Sequence, residues 1–406
     1  MIPFSQAREF VLDRCQRNAE ISVALIDSVG AVLAETIVAN EYVPPFANTA
    51  VDGFAVRSID TQSAPATLKI AGTIAAGMRG NEFSVGENTA VRIMTGAPVP
   101  DGADAIVMVE DTEVSNDVVT ITKSMSENAN IRPAGDDMKP GDVVIEKGVV
   151  LTASHLGVLA TLGYTEVRIV QKPIVGVIST GDELVDDGSP LEPGQIRDSN
   201  RLALRALLQS HGYKTIDLGL QPDDEDAIEN AFIQGVEKCD AIVSSGGVSM
   251  GDFDFVKKVL SRIADMRWMQ VAIKPAKPLA FGVMKRSDGT EVPIFGLPGN
   301  PVSSLVSYEL FCRPGLRKMS GYAEADWDGP TVTATVLSPF GRKPDGKLHF
   351  ARALCRFVDG RYVVESAGAQ GSHQMAAMAA ANALAVLPDG ETVEPPASVH
   401  VRLLHS

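Results

Sequence analysis

The sequence predicts a mixed α/β and β chain of several domains, with the α/β domain at its centre. Three observations carry this. Between Pro173 and Gly321, apolar runs and amphipathic stretches alternate as strand, helix, strand, the rhythm of a parallel sheet covered by helices on both faces. From about Asp52 to Val144, short β-branched runs are separated by Gly, Asp and Asn, which suggests a small β-rich domain. After Gly321 the helical periodicity stops and further β-like segments follow. A chain of 406 residues is also long for one core.

Taken in order, residues from about 4 to 40 read as helical: Phe10, Val11 and Cys15 recur at helical spacing, and Ser5 can cap the start. Pro44-Pro45 then begins a turning segment. The β-rich part carries TLKIAGTI, TAVRIMTGAPVP, DAIVMVEDTEV and DVVTITK. LTASHLGVLATLG is a short helix ended by Gly163 and expected beside the N-terminal helices. The β-rich part is therefore an insertion between two helical pieces. PIVGVIST opens the α/β domain as a buried strand. DSNRLALRALLQSHGY is a helix with Leu204, Leu207 and Leu208 on one face, capped by Ser199 or Asn200 and ended by Gly212. KTIDLGL, DDEDAIENAFIQGVEKC and DAIVSS follow as strand, helix and strand. Next come a helix from about Asp254 to Ala264, strands in WMQVAI, PLAFGVM and VPIFGLP, and the helix PVSSLVSYELFCRPGLRKM. GPTVTATVLSPF, HFARALCRFVDG, RYVVESA, ALAVLPDG and VHVRLLH make a last all-β domain. The expected division is a helical linker domain of residues 1–45 and 143–172, an inserted β-rich domain of 46–142, an α/β domain of 173–322 and a β domain of 323–406.

A formal net charge of −15 argues against a nucleic-acid partner. A small anionic ligand remains compatible where local Lys, Arg or a cation supplies a positive field. No apolar run reaches the roughly 18 residues of a membrane span. MIPFSQAREFVLDRC lacks a basic segment ahead of an apolar one, so neither membrane nor secretory signal is expected. The four cysteines (Cys15, Cys239, Cys312, Cys355) are dispersed, and the six histidines show no metal-ligand spacing. Dispersed thiols fit a reducing, cytoplasmic setting.

Ligands of open α/β sheets sit beyond the carboxyl ends of the strands. Four polar loops fall there: Ser179 to Glu183, QPDDED with Asp223 and Asp224, SSGGVSMGDFDFV from Ser244, and LPGNPVS from Leu297. Gly247 to Gly251 spells the G-x-S-x-G of a nucleophile elbow. Ser249, however, lies several residues past the apolar run, and Gly251-Asp252-Phe253 precede any helix. A phosphate cradle is the better reading: Gly246 and Gly247 let backbone N–H groups approach an anion. A Walker loop is excluded because Asp252 stands where Lys is required. Glu183, Asp224 and Asp254 can hold Mg²⁺ together with phosphate oxygens, or can be no more than helix caps and solvated loop acids. Lys274 and Lys277 sit between prolines in IKPAKPLAFG, which stiffens their backbone. In GLPGNPVSS the N–H groups of Val302, Ser303 and Ser304 are expected to be free for an anion.

Ser244–Val256, STGDEL (Ser179–Leu184), IKPAKP (Ile273–Pro278) and GLPGNPVSS (Gly296–Ser304) together resemble the MoeA/gephyrin E-domain family. So do TAVDGFAV (Thr49–Val56), RIMTGAPVPDGADAIVMVED (Arg92–Asp111) and RPAGDDMKPGD (Arg132–Asp142), in family order from about residue 5 to the end. The resemblance implies a molybdopterin molybdenumtransferase. Such an enzyme takes adenylylated molybdopterin and molybdate, inserts the metal and releases AMP, with Mg²⁺. It also implies an elongated homodimeric subunit, an α/β domain like that of the molybdopterin adenylyltransferases, a C-terminal β-barrel, and a molybdopterin adenylyltransferase as partner.

Carried over residue by residue, Asp52, Asp137, Glu183, Asp224, Asp254, Lys274 and Lys277 are the implied catalytic residues. Glu183, Asp224 and Asp254 are the implied metal ligands. Thr95, Gly96, Thr180, Gly181, Gly246, Gly247, Ser249, Asn300, Ser303 and Arg352 are the implied substrate contacts. Two positions depart from the family pattern: Ala276 stands for the usual glycine between the lysines, and Thr49 where serine is common. The alternatives are a non-catalytic scaffold of the same fold and a nucleotide pyrophosphatase.

Overall fold

The strand–helix rhythm after Pro173 forms a six-stranded sheet. Its order is Thr215–Gln221, Val175–Thr180, Ala241–Ser245, Glu291–Leu297, Pro278–Lys285, Asp265–Gln270. The computed structural model describes residues 1–247 and 255–404. The first four strands are parallel, but Pro278–Lys285 is antiparallel to both neighbours, so the sheet is mixed rather than parallel. The cause is the short link to Glu291–Leu297. Arg286 N–H donates to the Thr290 carbonyl at 2.8 Å and Gly289 sits at φ +86. A turn this tight makes a hairpin, whereas a parallel neighbour needs a crossover of a dozen or more residues.

Alternate residues of these strands feed two cores. Val175, Val177, Val243, Phe281 and Phe295 pack with Leu204, Leu208 and Val306. Ile178, Ile242 and Ile294 pack on the other side with Phe232, Val236 and Leu260. Helices therefore cover both faces. The helix Asn200–Ser210 ends at Gly212, at φ +77, as expected. Its start differs: neither Ser199 nor Asn200 caps it. The Asp198 carboxylate accepts from Arg201 N–H at 3.2 Å instead, which leaves Asn200 for another purpose.

The N-terminal reading needs correction. Only Phe4–Arg14 is a long helix; its N-cap is Pro3 rather than Ser5, and its Ala7 and Val11 enter the α/β core. Beyond it, Glu20–Ala24 pairs antiparallel with Glu166–Val170, and Ile37–Val38 with Val143–Ile145. Ile21, Val23 and Leu25 alternate in sequence, and all three pack with Leu159 and Leu162 of the helix Ala153–Thr161. A period of two has won over an ambiguous helical spacing. These short ladders close both sides of the insertion. The insertion is itself a six-stranded sheet in the order Ala105–Met108, Gly53–Val56, Thr89–Ile93, Ala66–Ile74, Val118–Ile121, Thr112–Ser115.

The last domain is a closed barrel. Leu348–Val358 pairs with Arg361–Ser366 and with Ala383–Leu387. Ser398–Leu403 continues from Ala383–Leu387 to Thr331–Val336, which returns to Arg361–Ser366. Closure leaves no free edge. Ile273–Lys274 adds in parallel to Leu348 and His349, which ties the barrel to the α/β domain at the lysine loop.

Candidate active site

Val175–Thr180 lies between Thr215–Gln221 and Ala241–Ser245. The chain winds to one side of this strand and then to the other, so the loops diverge and open a crevice at the carboxyl ends. Backbone contacts gather the loops. Gly181 N–H donates to the Gln221 carbonyl and Gly246 N–H to the Leu297 carbonyl, both at 3.2 Å. Gly246 (φ +93) comes so near the first strand that a Cβ would lie 3.1 Å from the Thr180 carbonyl oxygen. Gly247 is also left-handed, at φ +65. Thr180, Gly181, Gly246, Gly247 and the exposed Asn300 thus share one rim, while Ser249 and Asp254 lie outside the described residues.

Sequence reasoning gave Asn200 only a capping role. Its Nδ2 donates to Ser245 Oγ at 2.8 Å and to the Gly299 carbonyl at 2.7 Å. One amide therefore ties a helix start to the ends of two strands. A weak sequence signal existed: Asn200 stands at a helix start beside Asp198 and Ser199, with more capping side chains than one helix needs.

The rim acids are crowded. Asp223 N–H donates to Asp182 Oδ1 at 3.0 Å. The Asp223 carboxyl is held above its ordinary value by burial first, then by the charges of Asp182 and Glu183. A side chain at Gly181 (φ +144) would run into the Glu183 carboxylate, with Oε2 only 2.5 Å from the Cβ position. Asp224 is first of all a helix cap, its Oδ1 accepting from Ala227 N–H at 2.9 Å. Among the described residues, no three metal-ligating side chains gather to hold a metal ion.

The lysine loop joins the barrel. Lys274 and Lys277 are exposed and Ala276 is buried between them. The Lys274–Pro275 peptide is cis, and Ala276 lies at φ +72, the left-handed region that explains why glycine would be usual there. Lys274, His349, Ser366 and Gln370 line a cavity of about 120 Å³. Gln370 pins the adjacent strand, its side chain exchanging hydrogen bonds with the backbone of Arg352 at 2.9 and 3.0 Å. Arg352 is 1% exposed. Its Nη2 donates to the Ala369 carbonyl at 2.5 Å, but Nε and Nη1 are buried without a partner among the described residues.

Residues 369–372 run on from Arg352 to the helix Pro301–Ser307, where Val302 N–H donates to the Ser372 carbonyl at 3.2 Å. The expectation of three free N–H groups is therefore corrected. Val302 is occupied by the barrel, and Ser304 N–H donates to the Asn300 carbonyl at 2.9 Å, which among the described residues leaves Ser303.

In the inserted domain, Thr95 holds Asp52. Its N–H and hydroxyl donate to Asp52 Oδ1 at 2.6 and 2.8 Å. Those two bonds, backbone first, keep the carboxyl below its ordinary range, with Arg92 adding to the effect. Gly96 follows at φ +80, and its N–H donates to the Thr49 carbonyl at 3.0 Å. Asp137 is exposed, its N–H bonded to the Val43 carbonyl at 2.9 Å.

Residues 2–163 match the family described as the MoeA N-terminal region (domain I and II), 176–318 a probable molybdopterin binding domain, and 336–404 the MoeA C-terminal region (domain IV). Over 405 residues the sequence is 39% identical to a molybdopterin molybdenumtransferase of Haemophilus influenzae, covering 97% of this chain and 98% of that one. It is 36% identical over 394 residues to one of Staphylococcus aureus, covering 96% and 92%. In structure it is similar to a molybdopterin biosynthesis MoeA protein of Pyrococcus horikoshii, with a TM-score of 0.80 at 28% identity over 99% of this chain and 100% of that one.

Proposed function

The chain belongs to the MoeA family, and from that premise we propose that it is a molybdopterin molybdenumtransferase acting in molybdenum cofactor biosynthesis. Its substrates in this reading are adenylylated molybdopterin and molybdate, and AMP is released as the metal is inserted. The observation that carries the reading is Arg352. A buried guanidinium with two unpartnered nitrogens is costly unless a ligand brings acceptors. Molybdate, a tetrahedral dianion, brings four oxygens. Lys274 and Lys277 supply charge nearby, and Ser303 supplies a hydroxyl and an N–H.

Gly246 and Gly247 admit the phosphate of the adenylylated pterin to the backbone, with Thr180, Gly181 and Asn300 beside it. As AMP leaves, the lysine charges stabilise the negative charge that develops on phosphate. The mutual repulsion of Asp182, Glu183 and Asp223 suits a divalent cation with oxygen ligands. Glu183 and Asp224, with Asp254, are the residues to hold Mg²⁺. When bound, Mg²⁺ supplies Lewis-acid polarisation of phosphate oxygens. Asp52, Thr95, Gly96 and Asp137 belong to the insertion. They complete the site in a homodimer whose two-fold axis sets the insertion of one protomer against the rim of its partner, giving two equivalent clefts. A cytoplasmic location and supply of the substrate by a molybdopterin adenylyltransferase accompany this reading.

Incubation with adenylylated molybdopterin and Mg²⁺, with and without molybdate, tests it by following AMP and active cofactor together. AMP release that depends on molybdate is expected. Equal release without any oxyanion would mark a nucleotide pyrophosphatase instead, and no release in either arm a scaffold.

A further inference from the structure

The opposite end of the α/β sheet carries a second basic site. Lys172 precedes the strand Val175–Thr180 and Gly212 precedes Thr215–Gln221, so both lie at strand amino ends, away from the rim. Together with Gly30, Tyr213, Arg317 and Tyr322 they line a cavity of about 520 Å³. The chain has a net charge of −15, yet no acidic residue lines this cavity among the described residues.

Lys172 is threaded between two glycines. A Cβ on Gly212 (φ +77) would lie 2.9 Å from its Nζ, and one on Gly30 (φ +69) 3.4 Å. A side chain at Gly212 would displace the ammonium, one at Gly30 would touch it, and both backbones are in the region that favours glycine. Burial alone pushes the Lys172 pKa down, with no carboxylate to offset it. Arg317 makes no salt bridge among the described residues, although its charge is felt by the buried Glu309. Its Nη1 donates to the carbonyls of Asp326 and Asp328, both at 2.7 Å, and the guanidinium lies 5.2 Å from the centre of the Tyr322 ring. The Tyr322 hydroxyl is fixed on the Gly30 carbonyl at 3.1 Å, so the cavity wall is already braced.

The geometry points to an anion site in this cavity, taking a phosphate-class dianion between Lys172 and the remaining N–H groups of Arg317. The phosphate is either inorganic or that of a mononucleotide, since the cavity falls in the size range of small-molecule pockets. Its walls come from the linker domain (Gly30, Lys172) and the α/β domain (Gly212, Tyr213, Arg317, Tyr322). An anion held between Lys172 and Arg317 therefore joins these two domains and stabilises their junction.

The test uses the full chain carrying Lys277→Met, which removes a rim cation from the measurement. Inorganic phosphate and AMP are titrated separately by calorimetry, and melting temperature is followed with phosphate against equal ionic strength of chloride. One phosphate site per chain that is lost with Lys172 is expected, counted apart from any binding left at the rim and Arg352, with a melting temperature raised by phosphate and not by chloride. Adding Lys172→Met should weaken binding roughly ten- to a hundredfold, the value of a charge-assisted bond to an anion. That variant should melt no lower than its parent in the absence of phosphate, because the lysine has no hydrogen-bond or salt-bridge partner to lose among the described residues; Lys172→Gln is the second variant should Met disturb the fold. AMP binding tighter than phosphate identifies a mononucleotide, and equal affinity identifies the phosphate group alone. Absence of phosphate and AMP binding in the parent, or binding unchanged by both Lys172 substitutions, overturns the proposal.

Discussion

The Asp52 turn and the α/β rim use carboxylates in opposite ways. Asp52 is fixed in its ionised form by two bonds from a single residue, Thr95. At the rim, Asp223 is held against its ionised form by burial and by its neighbours Asp182 and Glu183. The turn is complete in itself, although its two residues lie 43 positions apart in the chain. The rim draws on several strand ends and leaves its acids crowded, while in the barrel two nitrogens of Arg352 have no partner among the described residues. A fixed charge positions something else, whereas unmatched charges wait for ligands of the opposite sign.

The sharpest way to break this contrast is subunit complementation. Asp52→Ala and Lys277→Met should each lose activity by at least about a hundredfold, with little change in melting temperature because both side chains are exposed. Mixed and re-annealed, they should recover about one quarter of wild-type activity, since half the dimers are mixed and each mixed dimer holds one intact cleft. Verified mixed dimers without activity would mean that the turn and the rim do not share a site.

Next in size is Asn200→Ala. It removes two hydrogen bonds that join three loops, so stability should fall by about 1–3 kcal/mol and activity with it. A variant with unchanged melting but impaired turnover would mean the rim is as self-sufficient as the turn.

A smaller effect separates the two carboxylates by pH. A raised carboxyl pKa means the native state carries a penalty once the group ionises. The penalty is absent below the ordinary 3.8 and grows as pH rises through the folded value. Asp223→Asn should therefore melt above wild type at pH 7, with the gap closing on acidification, and Mg²⁺ should raise the wild type more than the variant. Asp52 has the reverse sign: its contribution is present above 3.8 and lost as pH falls through its lowered value. An Asp223→Asn variant that melts below wild type at neutral pH would show that the rim acids are not in conflict.

The smallest expected change is Ala276→Gly. Relief of the left-handed backbone is worth roughly 1 kcal/mol. It is opposed by a lost buried methyl of about 0.8 kcal/mol and by added unfolded-state freedom of about 0.4–1 kcal/mol. The opposing terms nearly cancel, so denaturant midpoints should barely differ. A shift above about 2 kcal/mol would mean the loop is held in a conformation its own residues do not choose.

What was legible in the sequence follows from the range of the interactions. The five barrel strands were visible as short apolar and β-branched runs set off by polar turn residues, and the strand ends were visible because Gly and Asp mark them. The stretch after Arg14 was misread because Ile21, Val23 and Leu25 fit two periods, and only their partners at Val167 and Ile169 decide between them. The antiparallel Pro278–Lys285 strand was available in Ser287-Asp288-Gly289, a turn signal passed over for the larger rhythm. Asn200 and the occupied Val302 N–H were not readable, since their partners, Ser245, Gly299 and Ser372, are distant in the chain. Asp52 with Thr95 was readable as two motifs but not as one hydrogen-bonded pair.

The insertion leaves and re-enters the linker domain through adjacent ladders, Ile37–Val38 with Val143–Ile145 and Val43 with Met138. This sets an order of assembly. The linker ladders join residues about a hundred or more positions apart, an unfavourable encounter for an open chain. Once the insertion has folded, its own pairing of Asn48–Thr49 with Ile131–Arg132 holds the two ends side by side. The ladders then close at little further entropic cost. Pulse-labelling during refolding should find amides of Ala66–Ile74 and Thr89–Ile93 protected before those of Glu20–Ala24 and Glu166–Val170; the opposite sequence would mean that the linker domain is the scaffold on which the insertion is built.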